Sequence, residues 1–261
     1  MQRMPSPPYH CVRPRQDGVA LFVVIVFVML SMLLALWASR TSLFNEMVVG
    51  NDADYQRAFE AAQALLQDAE LDIRSENPDG TPCTGANCRN NIPAAYKIPV
   101  DAQEVTPLLA NLDPQTTKCL SGLCLKRAGR QDFWNATSST SLDPGEVRLA
   151  DMTQPNVGAR YGQYTGAARG TTTSPASPIL QWNTDGTTPN NQGGWYWIEV
   201  LRYDESSKNS GVIVGGANTD HLLRLNLKPN LVYRVTALAY GRKPGTMAVL
   251  QQTYARQTRK D

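Results

Sequence analysis

The side chains able to do chemistry are few and oddly placed. Five cysteines stand at Cys11, Cys83, Cys88, Cys119 and Cys124, and two histidines at His10 and His221. Four of the cysteines form two pairs with one spacing, C-x4-C. An even set of paired cysteines suits an oxidising compartment, where thiols become disulfides. Local bridges, Cys83 to Cys88 and Cys119 to Cys124, are the first expectation, and spacing alone leaves crossed pairing open. A four-thiolate zinc site is the metal alternative, although the usual knuckle has two residues between ligands rather than four. Bridged cysteines cannot serve as nucleophiles. His221, the one histidine beyond the first 18 residues, has no local partner motif, and a lone histidine near a strand is more often structural than catalytic. The G-x-S-x-G elbow, the phosphate-binding glycine loop and H-E-x-x-H are all missing. A hydrolytic carboxylate pair needs no local motif, so an exported hydrolase stays as a minor alternative. The expectation is a non-catalytic protein without metal or cofactor.

Two stretches have the composition of a binding surface. Trp195, Tyr196 and Trp197 could line a carbohydrate or adhesion face, but alternation along a strand puts both tryptophans on one side, where a core is the ordinary destination. The segment from Asp204 and Glu205 to Asp220 is rich in oxygen ligands for calcium, yet it lacks a recognisable ligand pattern.

These residues need elements to position them, and the N-terminal third supplies the clearest. Residues 19–37 contain no charged side chain, and Ser31 is their one polar residue. Nineteen helical residues span roughly 28 Å, close to the hydrocarbon thickness of a bilayer. Arg3, Arg13 and Arg15 precede this run against Asp17 alone, and so account for the chain's whole net charge of +2. That basic excess reads as a cytoplasmic leader, not as a nucleic-acid surface. Cys11 belongs to the leader too, which leaves the even set of four cysteines outside. A cleaved secretory signal has a shorter apolar run and a small-x-small site after it, which Leu34 to Ser39 match poorly. A plain signal-anchor helix is the remaining alternative.

The helix continues beyond the apolar run. Ala58, Ala62, Leu65, Leu66, Ala69 and Ile73 recur at steps of three and four and make one apolar face. Gln63, Gln67, Asp68, Glu70 and Asp72 are expected mainly off that face. Asn77, Pro78, Asp79 and Gly80 end the helix. Gly50 interrupts it, either as a tolerated glycine costing about 1 kcal/mol against alanine or as a point where the helix loosens. Residues 78–190 are loop-rich. Strands are then expected over residues 195–203, 222–227, 231–240 and 247–254, with turns at Lys228-Pro229-Asn230 and at residues 241–245. Short links between consecutive strands argue an antiparallel sheet, one face of which covers the helix. The expected fold class is α+β.

Particular residues carry a resemblance. The charged leader ends in Gly18 and the apolar run begins at Val19, as in the type III signal peptides of pilins. Arg40-Thr41, Glu46-Met47, Gly50-Asn51, Ala58-Phe59-Glu60-Ala61-Ala62 and Asp68-Ala69-Glu70 resemble the N-terminal region of PilX-like minor pilins. Tyr233-Arg234-Val235-Thr236-Ala237 and Leu250-Gln251-Gln252-Thr253-Tyr254 resemble their C-terminal ending, and the second cysteine loop resembles one seen in that group. Gln63, Leu65 and Gln252 depart from its commoner residues.

The resemblance implies a type IV pilin-like fold, with a long N-terminal helix packed on a C-terminal antiparallel sheet. The chain then divides into a leader (1–18), a transmembrane or filament-core helix (19–38), its amphipathic continuation (39–77), a loop-rich insertion with two cysteine pairs (78–190) and a sheet region (191–261). It further implies cleavage between Gly18 and Val19 by a prepilin peptidase and N-methylation of Val19. The mature protein would start in the inner membrane with its C-terminal domain periplasmic and end in the extracellular pilus. Its partners would be other minor and major pilins, the peptidase and the inner-membrane assembly platform. Val23 occupies the fifth mature position, where major pilins carry glutamate, which points to a tip or priming role. The alternatives are a single-pass anchored ligand-binding domain and a pilus-tip adhesin.

Overall fold

A computed structural model describes residues 17–91, 97–127, 132–136, 141–169, 177–183, 188–189, 191–202 and 231–256. The expected strand at 222–227, the turn after it, His221, the acidic stretch 204–220 and Cys11 lie outside the described residues. The chain divides into two compact units, Met1–Gly50 and Asn51–Asp261.

One helix, α1 (Asp17–Arg74), contributes to both units. In the first unit every residue from Val19 to Val49 is exposed. An 18-residue stretch of the helix reaches a mean hydropathy of 3.2, enough to cross a membrane by length and composition. Two of the hydroxyls here return to the helix itself. Ser31 Oγ donates to the Phe27 carbonyl at 2.8 Å, and Thr41 Oγ1 to that of Trp37 at 3.0 Å. Such back-bonding satisfies a polar group where no water is available.

In the second unit, the head, α1 lies on a six-stranded sheet. The strands are β1 (Cys119–Leu120), β2 (Leu123–Leu125), β3 (Ala159–Arg160), β4 (Gly194–Arg202), β5 (Leu231–Tyr240) and β6 (Met247–Tyr254). Their order is β1-β2-β4-β5-β6, with β3 also paired to β4. The long pairs β4–β5 and β5–β6 are antiparallel. A departure from the purely antiparallel expectation is β2, which runs parallel to β4. A parallel pair requires a long connection rather than a hairpin, and here the chain between Leu125 and Gly194 provides it. The described residues of the head also include two short α-helices, α2 (Ala102–Leu112) and α3 (Leu149–Met152).

The apolar stripe of α1 explains the main core. Ala58, Ala62, Leu65, Ala69 and Ile73 are fully buried, clustered with Tyr196, Ile198, Val235, Ala237 and Ala239 of the sheet. Small alanines let helix and sheet approach closely, and Gly194 is needed for the same reason. A Cβ added there would lie 2.5 Å from Leu65 Cδ1 and 2.7 Å from Leu180 Cδ2. The opposite face of β4 and β5 is also covered. Trp195, Trp197 and Leu238 pack there with Phe133, Met152 and the cysteines Cys119 and Cys124. The helix stops in a Schellman arrangement: Ser75 has φ of 59°, its N–H donates to the Asp72 carbonyl, and that of Glu76 to the Leu71 carbonyl.

Candidate functional site

The first candidate site is a surface. Between Val19 and Val49, Leu21, Phe22, Phe27, Trp37, Phe44 and Val49 are each 62–72% exposed. Exposed apolar patches beyond a few hundred Å² mark membrane or protein contact. The Gly18–Val19 junction lies within the first turn of α1, and Val19 itself is 67% exposed. Val23 is 45% exposed. No carboxylate of the described helix precedes Glu46, apart from Asp17 at its start.

The second candidate is the set of buried charges that fix α1 in the head. Sequence periodicity assigned Asp68 and Asp72 mainly off the apolar face, and this needs correcting: they are 2% and 1% exposed. With Asp54 they extend the stripe's own three- and four-residue steps, as 54, 58, 61, 65, 68 and 72. That spacing was the available signal, masked because carboxylates are seldom buried without partners. Each has partners distant in sequence. Arg89 grips Asp72 with Nε at 2.7 Å from Oδ1 and Nη2 at 2.5 Å from Oδ2, and the Tyr196 hydroxyl donates to Oδ2 at 2.9 Å. Asp68 accepts the Gly162 N–H at 2.7 Å and a short bond from the Thr165 hydroxyl. Burial, with the charge of Asp72 one turn away, pushes the Asp68 carboxyl up to about 7, against the pull of Thr165, Gly162 and Arg89.

A similar arrangement stands on the other side of the sheet. Glu199 of β4 accepts Arg127 Nε at 2.8 Å and Arg234 Nε at 3.0 Å. Arg127 also stacks on the Phe133 ring, 4.0 Å from its centroid. Burial holds the Arg127 guanidinium below its ordinary value, against the charge and hydrogen bond of Glu199.

The four cysteines of the head are bonded locally, Cys83 to Cys88 and Cys119 to Cys124. The second bridge spans directly opposed residues of β1 and β2. The Gly18–Val19 junction and these four cysteines fall in separate units. Trp195 and Trp197 form no open aromatic platform. They are 3% and 0% exposed, and Trp197 Nε1 donates to the Met152 carbonyl at 3.1 Å. Among the described residues, no group of three or more His, Cys, Asp or Glu side chains is placed to hold a metal ion.

A long apolar helix, bare in its first part and backed in its second by a β-sheet, defines a pilin-like subunit. Two family models match the chain: type IV pilus assembly protein PilX, C-terminal, over residues 120–256, and PilX N-terminal over residues 17–67. The first alone spans more than half of the sequence, and the chain belongs to the PilX family of type IV pilus assembly proteins. No curated protein and no solved structure matches it. Membership makes it a minor pilin of type IV pilus assembly, a structural component that associates with other pilins and the pilus machinery.

Proposed function

We propose that this minor pilin is made as a precursor, cut between Gly18 and Val19 by a prepilin peptidase, methylated at Val19 and passed from the inner membrane into a pilus without doing catalysis of its own. Before assembly the leader lies in the cytoplasm and the head in the periplasm; afterwards the head is extracellular. The observation that carries this reading is the exposure of the whole uncharged run from Val19 to Trp37. Such a surface is stable in lipid, or against the like helices of other pilins, and not in water.

The place proposed for the subunit is a tip or priming complex serving twitching motility or adhesion. Val23 supports it. A carboxylate near the centre of a membrane helix costs on the order of 3 kcal/mol, which a shaft subunit offsets by pairing on assembly, and Val23 neither incurs that cost nor offers a partner.

The test is the mass of the mature N-terminal peptide from membranes and from sheared surface filaments. A start at Val19 carrying one added methyl group, present in the sheared fraction, is the expected result. An intact leader, with nothing in the sheared fraction, would replace the proposal with an anchored domain that never polymerises.

A further inference from the structure

Arg89 follows Cys88 directly, on the short 3-10 turn Arg89–Asn91 that leaves the first disulfide loop. Its side chain is 1% exposed. The guanidinium reaches two other elements: Nε and Nη2 hold Asp72 of α1, and Nη1 donates to the Ser121 carbonyl at 3.1 Å. Ser121 lies on the β1–β2 turn, inside the loop that Cys119 and Cys124 close. That turn is tightly determined. Ser121 and Gly122 have φ of 53° and 83°, and a Cβ on Gly122 would lie 2.5 Å from the Cβ of Ala159. One disulfide loop therefore delivers the guanidinium, and the other delivers a carbonyl to the same guanidinium.

We infer that Arg89 couples the two disulfides, so that the end of α1, Asp68–Arg74, docks fully only when both pairs of thiols have been oxidised. With the first loop open, Arg89 is no longer held beneath the helix. Asp72 then keeps the Tyr196 hydroxyl but loses its counter-charge, with the carboxyl of Asp68 one turn away. With the second loop open, the Ser121 carbonyl no longer fixes the far side of the guanidinium. Removing one partner of a buried ion pair leaves an uncompensated charge, which is far costlier than opening an exposed pair. Each bridge forms when two cysteine thiols give up two protons and two electrons to a protein or small-molecule disulfide, which leaves as two thiols. A head held in a reducing compartment thus keeps the end of its helix undocked, and docking reports arrival where dithiols are oxidised. This inference rests on the geometry of the head and not on cleavage or filament position.

Hydrogen exchange of the full chain in detergent micelles tests it, read on peptides covering Asp68–Arg74. Three variants are compared with the parent: Cys83→Ser with Cys88→Ser, Cys119→Ser with Cys124→Ser, and all four together. Either two-serine variant should exchange about tenfold or more faster at Asp68–Arg74, the scale of losing charge-assisted hydrogen bonds. The four-serine variant should exchange no faster than either. Losses that add, or that stay within each variant's own loop, would overturn the coupling. Should the serine variants fail to fold, Asp72→Leu with Arg89→Met keeps all four cysteines. On graded reduction the parent should lose protection at Asp68–Arg74 in one concerted step. The Leu/Met variant should show no link between its two bridges. Two separate steps in the parent would overturn the inference.

Discussion

Asp54 of α1 accepts the backbone N–H of Lys243 at 2.9 Å, tying the helix to the β5–β6 turn across 189 positions of chain. The N–H of Arg242 joins it at 3.0 Å. Burial pushes the Asp54 carboxyl up, but the N–H groups of Lys243 and Arg242, the Thr246 hydroxyl and the Lys243 charge together hold it below its ordinary value. Gly241 permits the approach, since a Cβ there would lie 2.4 Å from Asp54 Oδ2. Asp54→Ala should lower stability by about 1–2 kcal/mol through the freed turn amides. Because the folded carboxyl is the stronger acid, its contribution is present above the unfolded carboxylate range and is lost as pH falls through the folded value. Urea unfolding at pH 7 and pH 3 measures both, and an unchanged midpoint at pH 7 would dismiss the role.

Asp68 has the opposite sign. Its folded carboxyl, at about 7, is a weaker acid than in the unfolded chain at 3.8. The folded state therefore binds the proton more tightly. The contribution is complete below the unfolded value and disappears as pH rises through about 7. Asp68→Asn keeps an acceptor for the Gly162 N–H and cannot ionise. The variant should gain on the parent as pH rises from 4 to 8, by up to about 4 kcal/mol at about 1.4 kcal/mol per unit. A pH series of denaturation midpoints reads the difference, and a flat one would show that Asp68 is ionised throughout.

Glu199 serves two arginines, and its removal should be felt more than theirs. Glu199→Gln leaves Arg127 and Arg234 facing one another around a neutral amide, at a cost of about 3–5 kcal/mol. Arg234→Gln should cost less, because that side chain is 25% exposed and Arg127 still neutralises the carboxylate. Calorimetry of the two variants ranks them; the reverse order would mean that Glu199 is not the centre of the group.

The proposed processing makes its own demand on Gly18. A bulky Gly18→Leu at the junction should abolish the Val19 start while leaving the head folded. The expected product is a full-length chain in membranes and none in sheared filaments, judged by peptide mass and near-ultraviolet circular dichroism. Normal Val19 ends in this variant would place the cut elsewhere.

Much of the architecture was legible. The three- and four-residue recurrence of Ala58, Ala62, Leu65, Ala69 and Ile73 identified the face of α1 that meets the sheet, and the branched and aromatic runs located β4, β5 and β6 within a residue. The parallel pairing of β2 was not legible, because Leu123–Leu125 is too short to show a period and its partner, Ile198–Val200, lies far along the chain. The buried acids escaped for a different reason. A carboxylate's place depends on its partner, and Arg89, Thr165 and Lys243 are near Asp72, Asp68 and Asp54 only after folding. Local spacing suggested both cysteine bonds, but the guanidinium that lies between the loops has no counterpart in spacing.

The bare helix from Val19 to Val49 has a genetic consequence. A lesion there spares the fold of the head, so the altered subunit persists and competes with its normal counterpart for the same assembly site. A lesion that strips a buried charge of its partner, as loss of Arg89 would strip Asp72 or loss of Glu199 would strip Arg127, instead destabilises the head and exposes the chain to quality-control proteases. Alleles of the first kind should be dominant when both copies are expressed together, and alleles of the second kind recessive.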